Sequence, residues 1–169
     1  MHDEMTATSR AVLFDPSREL AGRIKRMIVG PMWHGPAVDE LLQRFTARTA
    51  LLHPVPDAHS AWELVLHMSA WAGFAMARLT GQETFDLDPA QDWPEAPRVG
   101  TPDAWREVTD ELRDAYARLA ERVRVMPAEA LLAPVADRDY NVATLLNGIV
   151  EHGSYHGGQL ALLAKALGA

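Results

Sequence analysis

Residues 141–169 read NVATLLNGIVEHGSYHGGQLALLAKALGA. Positions 142–167 contain no proline and repeat apolar residues at helical spacing, which predicts one long helix. His152 and His156 are four residues apart, so they lie one turn from each other on the same face. At about 100° per residue, Leu145, Ile149, Gln159 and Leu163 fall within about 60° of His152. The two imidazoles therefore point into the apolar stripe and away from water. Two imidazoles one turn apart can hold one cation from the same side, but they cannot close its coordination shell. A third ligand has to come from another element. An HxxxH spacing alone also arises by chance, with one histidine buried and hydrogen-bonded. The inward direction and the neighbouring Tyr155, Gly157, Gly158 and Gln159 point to a site.

The stretch 61–79, AWELVLHMSAWAGFAMARL, is the place to look for the third ligand. It is apolar almost all round, and its ionisable residues Glu63, His67 and Arg78 share one face with Leu64, Trp71 and Phe74. Charged or titratable groups are not set into an apolar face without partners. His67 is therefore the candidate third ligand, on a helix facing the C-terminal one. Glu63 has two readings. It completes a capping box with Ser60, or it orients a ligand imidazole and serves as a base. Trp62, Val65, Ala72 and Met76 form the opposite face. A helix apolar on both sides is buried on both sides, so a second subunit is expected to cover part of that face, giving a homodimer.

The whole chain has 169 residues, enough for one domain with a substantial core. Sixteen basic against 23 acidic residues leave a net charge of −7, without the basic cluster that nucleic-acid binding needs. The absence of cysteine excludes disulfides, thiolate metal sites and cysteine catalysis. MHDEMTATSR has no apolar signal core, and no apolar run approaches the ~20 residues that span a bilayer. A cytoplasmic protein without nucleic-acid or membrane partners is the expectation.

The remaining segments supply the frame. The first dozen residues read as frayed or extended. Asp15 caps a helix with Pro16 at its first position, running to about Val29 on the stripe Leu20, Ile24, Met27 and Ile28. GPMWHGP at 30–36 breaks it, with Trp33 expected to plug the kink. A second piece at 37–50 carries Val38, Leu41, Leu42 and Phe45. LLHPVPDAHS at 51–60 is a loop holding His53 and His59. Residues 80–100 form a long loop, a lid or binding loop by its length, pinned by Trp93 and with its acidic residues solvated. Thr101 and Pro102 start a helix to about Val125, with the stripe Trp105, Val108, Leu112, Ala115, Leu119 and Val123 and charges elsewhere. Residues 126–140 hold a short helical turn. The expectation is an all-α fold over residues 1–169, an antiparallel four-helix bundle with one short extra helix. Its metal site would be built from facing helices.

GPMWHGPAVDELL, HSAWELVLHMSAW and EHGSYHGGQLALLAK lie in the first, second and last of these helical regions. Together they resemble the DinB-like (DinB/YfiT) superfamily, with the YHxGQ pattern at Tyr155–Gln159 the most specific part. The resemblance implies a four-helix bundle, commonly a homodimer, with a divalent metal held by His67, His152 and His156. It also implies diverse activities. Some relatives are transferases using a low-molecular-weight thiol such as bacillithiol, mycothiol or glutathione, and others are isomerases.

Three neutral imidazoles on a divalent ion leave a position for water or substrate, and the ion lowers the pKa of the oxygen or sulfur it holds. Activated water gives a hydrolase. An activated thiol gives a transferase, and without cysteine that thiol must come from a cofactor. Zinc and nickel both suit an all-histidine site. Glu63 as base, with Tyr155 and Gln159 as hydrogen-bonding groups, completes the candidate machinery toward a small-molecule substrate. A capping glutamate, a core tyrosine and a supporting amide are the plainer roles for these three. The alternative function is a non-catalytic metal-binding or stress-associated protein with a structural or vestigial site and partner binding as its role; a fourth ligand, such as His59 or Glu63, filling the shell would favour it.

Overall fold

The computed structural model describes residues 14–168; the N-terminal segment expected to be extended lies outside them, apart from its boundary. The fold is all-α. Its helices are α1 (Pro16–Val29), α2 (Val38–Leu42), α3 (Ala47–Ala50), α4 (Ala61–Leu79), α5 (Pro89–Asp92), α6 (Pro102–Arg124) and α7 (Val142–Ala166), with a 3₁₀ turn at Ala128–Leu132. Each long helix starts where a side chain takes up orphan backbone donors. Asp15 accepts from the N–H groups of Ser17 and Arg18, Ser60 from Glu63, Thr101 from Ala104, and Asn141 from Thr144.

The long helices pack in a closed ring: α1 on α6, α6 on α4, α4 on α7, and α7 on α1. The predicted stripes face its interior. Leu20, Ile24, Met27 and Ile28 are buried, as are Trp105, Val108, Leu112, Leu119 and Val123. Each such large side chain contributes about 1.5–3 kcal/mol on burial. Tyr116, absent from the predicted α6 stripe, is among the most deeply buried residues, and its hydroxyl finds no partner.

Three local expectations are corrected. Trp33 does not plug the kink: it is 100% exposed, and the neighbouring Met32 packs against the core. The piece at 37–50 divides into α2 and α3. Thr46 and Thr49 make a reciprocal capping box that starts a new helix, a local side-chain bond that outcompetes continuation of the first. Finally, Trp62, Val65 and Ala72 are buried within the chain itself. α6 takes the side of α4 away from the histidines, with the Trp62 and Trp105 rings 5.1 Å apart. Three of that face's four residues are therefore covered within the chain, and Met76 is half-buried.

Arg78 resolves the isolated cation near the end of α4. It is buried, its Nη1 donates to the carbonyls of Glu83 and Ala136, and its guanidinium sits 5.3 Å from the Phe74 ring centroid. Through its Nη1, and with Nε left without a partner, this buried charge anchors both the 80–100 segment and the 126–140 segment to the ring.

At Gly100 the long segment passes close to the core. A Cβ there would stand 2.6 Å from the Ala47 carbonyl oxygen and 2.9 Å from Trp62 Cζ3. Backbone cannot yield as a flexible side chain does, so Gly100→Ala is expected to cost about 1–3 kcal/mol through overpacking. Urea unfolding checks this; an unchanged midpoint would show that the segment moves aside freely.

Candidate metal centre

α4 and α7 face each other, and this contact brings the three histidines together. His67 Nε2 lies 2.9 Å from His152 Nε2, and His156 Nε2 lies 2.9 Å from the same atom. One ligand atom from each residue falls within 4.8 Å of the others, close enough for all three to hold one metal ion. His67 and His156 are each only 5% exposed, and His152 is half-buried.

The groups behind the rings decide which nitrogens are free. His67 Nδ1 lies 2.7 Å from the Asp92 carbonyl oxygen and 3.1 Å from its Oδ1. Both are acceptors, so Nδ1 carries the hydrogen and Nε2 keeps its lone pair. His156 Nδ1 lies 2.5 Å from Gln159 Oε1, with the same consequence. Two lone pairs therefore point at His152 Nε2, which can donate a hydrogen to only one of them. His152 Nδ1 is buried without a partner. Such a set is poorly satisfied as three imidazoles alone, whereas a divalent cation accepts from all three nitrogens. The donor set fits a metal.

Burial depresses the basicity of each imidazole. Desolvation is the leading cause for all three, and in His152, flanked by His156 and His67, the pKa falls to about 3. Asp92 opposes the shift in His67, and Gln159 opposes it in His156. The rings are thus neutral at physiological pH, the state in which imidazole binds a metal.

The other predicted site residues lie at different distances from the trio. Gln159 is in direct contact through His156, and its Nε2 donates to the Tyr155 hydroxyl at 3.4 Å. Tyr155 is 64% exposed, with its ring edge-on to His156. Glu63 forms the capping box. Its Oε2 accepts from the Ser60 N–H at 2.7 Å and is 2.9 Å from His53 Nε2. Burial would raise its pKa, but the Ser60 N–H, His53 and the Ser60 hydroxyl together hold it below the usual carboxylate value. The carboxylate bonds to none of the three histidines.

Two residues of the 80–100 segment belong to the site. Asp92, expected to be solvated, sits behind His67 and also accepts from Trp71 Nε1 at 2.8 Å. Trp93 does pin the segment, and it does so on a ring of the trio: it stacks 3.8 Å from His67 at 7° and 3.5 Å from His59 at 13°. A readable signal lay in DPAQD at 88–92, an Asp–Pro helix start with a capping Gln91 that makes α5.

Residues 33–160 match the family model of the DinB superfamily. No curated protein and no solved structure matches the chain significantly.

In the metal-free chain, the histidines in the unfolded state titrate near their ordinary value of 6.5, while the folded rings protonate only at lower pH. The unfolded state then binds more protons, so this contribution to stability is complete above about pH 6.5 and is lost as pH falls toward about 3. The melting temperature of metal-free protein is expected to drop between pH 7.5 and 5.5, and His152→Gln should reduce that drop. A profile identical in the variant would mean that His152 does not carry the effect.

Proposed function

The chain belongs to the DinB superfamily, and from that premise we propose that it is a metal-dependent enzyme acting on a small molecule. His67, His152 and His156 are the metal ligands. Thiol-dependent S-transfer is the favoured reaction class and hydrolysis the related one. The observation that carries this reading is the three-nitrogen donor set itself. Among the described residues, the metal-capable group contains these three histidines and no fourth protein ligand.

When bound, a divalent ion such as zinc or nickel supplies Lewis acidity to an oxygen or sulfur ligand at its remaining position. The chain's own residues prepare that position. Asp92 and Gln159 hold the Nδ1 hydrogens of His67 and His156, so both rings present Nε2 inward. Trp71 and Trp93 wall the rings and limit water, which strengthens polar interactions inside. Because the chain has no cysteine, a transferred sulfur would come from a low-molecular-weight thiol co-substrate.

A fourth protein ligand would favour the non-catalytic alternative, and its two candidates are engaged elsewhere. His59 stacks on Trp93, and Glu63 is bound by its cap and His53. Glu63 also lines a cavity of about 460 Å³ together with His53, His59, Trp93 and Arg98. As an ionised carboxylate at a cavity wall, it is the chain's candidate acceptor for a proton released by a substrate.

Elemental analysis of purified protein should return one divalent ion per chain, and His156→Ala should lose it; a metal content unchanged in that variant would remove His156 from the ligand set.

Conjugation of a panel of low-molecular-weight thiols to electrophiles tests the reaction class, with ester hydrolysis run beside it. In whichever assay turns over, Glu63→Gln should keep the metal and lose roughly 10²–10⁴ of the rate if Glu63 is the base. Full activity in that variant would leave Glu63 as the helix cap alone.

A further inference from the structure

The segment between α4 and α6 reaches the histidine trio through two consecutive residues, and the closest contacts of both fall on the same ring, Trp93 also meeting His156 edge-on at 6.3 Å. The Asp92 carbonyl and carboxylate both face His67 Nδ1, at 2.7 and 3.1 Å. The Trp93 indole lies on the face of His67 at 3.8 Å, nearly parallel. His59 also stacks on Trp93, at 3.5 Å. Two rings so close to one indole must occupy its opposite faces, so Trp93 is a partition with His67 on one side and His59 on the other. On the His59 side lies the cavity that Glu63 and Arg98 line.

The ends of this strap are tied down away from the trio, by Arg78 on the Glu83 carbonyl, by the Asp86–Arg138 ion pair and by the close packing at Gly100, whereas its middle is held on α4. Its own regular structure is the single turn of α5, with no buried residue. Its contacts with α4 include the bond from Trp71 Nε1 to Asp92 Oδ1 at 2.8 Å and the two contacts on His67. His67 is therefore shared between the metal centre and the strap, and whatever holds its ring in one orientation favours both.

We propose that Asp92 and Trp93 form a metal-linked latch: metal loading of the trio and closure of the strap's middle, around Asp92 and Trp93, over it are one coupled equilibrium, and Trp93 is the partition that must move for the Glu63 cavity to communicate with the metal. The inference rests on reading the trio as a metal centre, and adds that the strap reports and controls its loading. Asp92 and Trp93 are positioning residues, acting through His67. Coupling of this kind is reciprocal. The factor by which the closed strap tightens metal binding is the factor by which metal favours the closed strap. Partners of this type on a ligand histidine change metal affinity by about 10–100-fold.

The test uses the full chain and zinc alone. Zinc affinity is measured by competition with a chromogenic chelator for wild type, Trp93→Ala, Trp93→Phe and Asp92→Ala. Backbone hydrogen exchange over residues 85–95 is followed in wild type with and without zinc. The latch predicts about 10–100-fold weaker zinc binding in Trp93→Ala and Asp92→Ala, recovery in Trp93→Phe because its ring can still stack, and slower exchange over 85–95 with zinc. Unchanged affinity in both Trp93→Ala and Asp92→Ala, or exchange indifferent to zinc, overturns the latch while leaving the metal centre standing. Failure of wild type to bind zinc or nickel overturns both. Should Trp93→Ala not fold, Asp92→Ala and the wild-type exchange decide the matter.

Discussion

Three imidazole nitrogens converging in a half-dry space is the constraint on which the site depends. Lone pairs on His67 and His156 face His152 Nε2 at 2.9 Å, and no arrangement of hydrogens satisfies all three rings at once. The surrounding helices hold the rings together. α7 turns its small residues away from the histidines, and α1 and α2 close in on that side. At Gly153 the Met27 side chain comes so near that a Cβ would lie 2.4 Å from its Sδ, and at Gly157 a Cβ would stand in ordinary contact with Val38 Cγ2, at 3.6 Å. Close approach on the small face fixes the rotation of α7, and that rotation aims His152 and His156 at α4.

The groups that choose the tautomers come from different levels of structure. Gln159 is on the same helix as His156, three residues on, so its contact is local. Asp92 reaches His67 across 25 residues, much of it with a backbone carbonyl, an acceptor that no side-chain pattern encodes. His152 has no such partner on Nδ1, and its basicity is the most depressed of the three. A donor set graded in this way is suited to a cation and ill suited to protons.

The burial of α4 bears on assembly as well as on the site. Its second apolar face reads as an unpaired surface, yet α6 supplies the partner through Trp105 and the residues that follow it. The two faces of α4 thus serve different ends within one chain, core packing on one side and the histidine trio on the other. Arg78, near its far end, ties the flanking segments down by donating to their carbonyls.

Much of this protein was legible in its residues because helices are governed by short-range physics. Caps at Asp15, Ser60, Thr101 and Asn141, the stripes of α1 and α6, and the inward direction of His67, His152 and His156 all follow from periodicities of three to four residues. Those rules identified both the all-α class and the three histidines that the fold brings together. They could not show that Thr46 restarts a helix inside an apolar stripe, that Trp33 turns outward while Met32 packs inward, or that Tyr116 joins the core. Each of these outcomes depends on what lies opposite in space. The same holds for Asp92 and Trp93, which look like ordinary loop residues until the fold lays them on His67. Sequence alone determined which side chains could bind a metal, because helical geometry aligns them. Only the tertiary structure decided which groups hold those side chains in place, because stacking and backbone hydrogen bonds between distant segments leave no period in the chain.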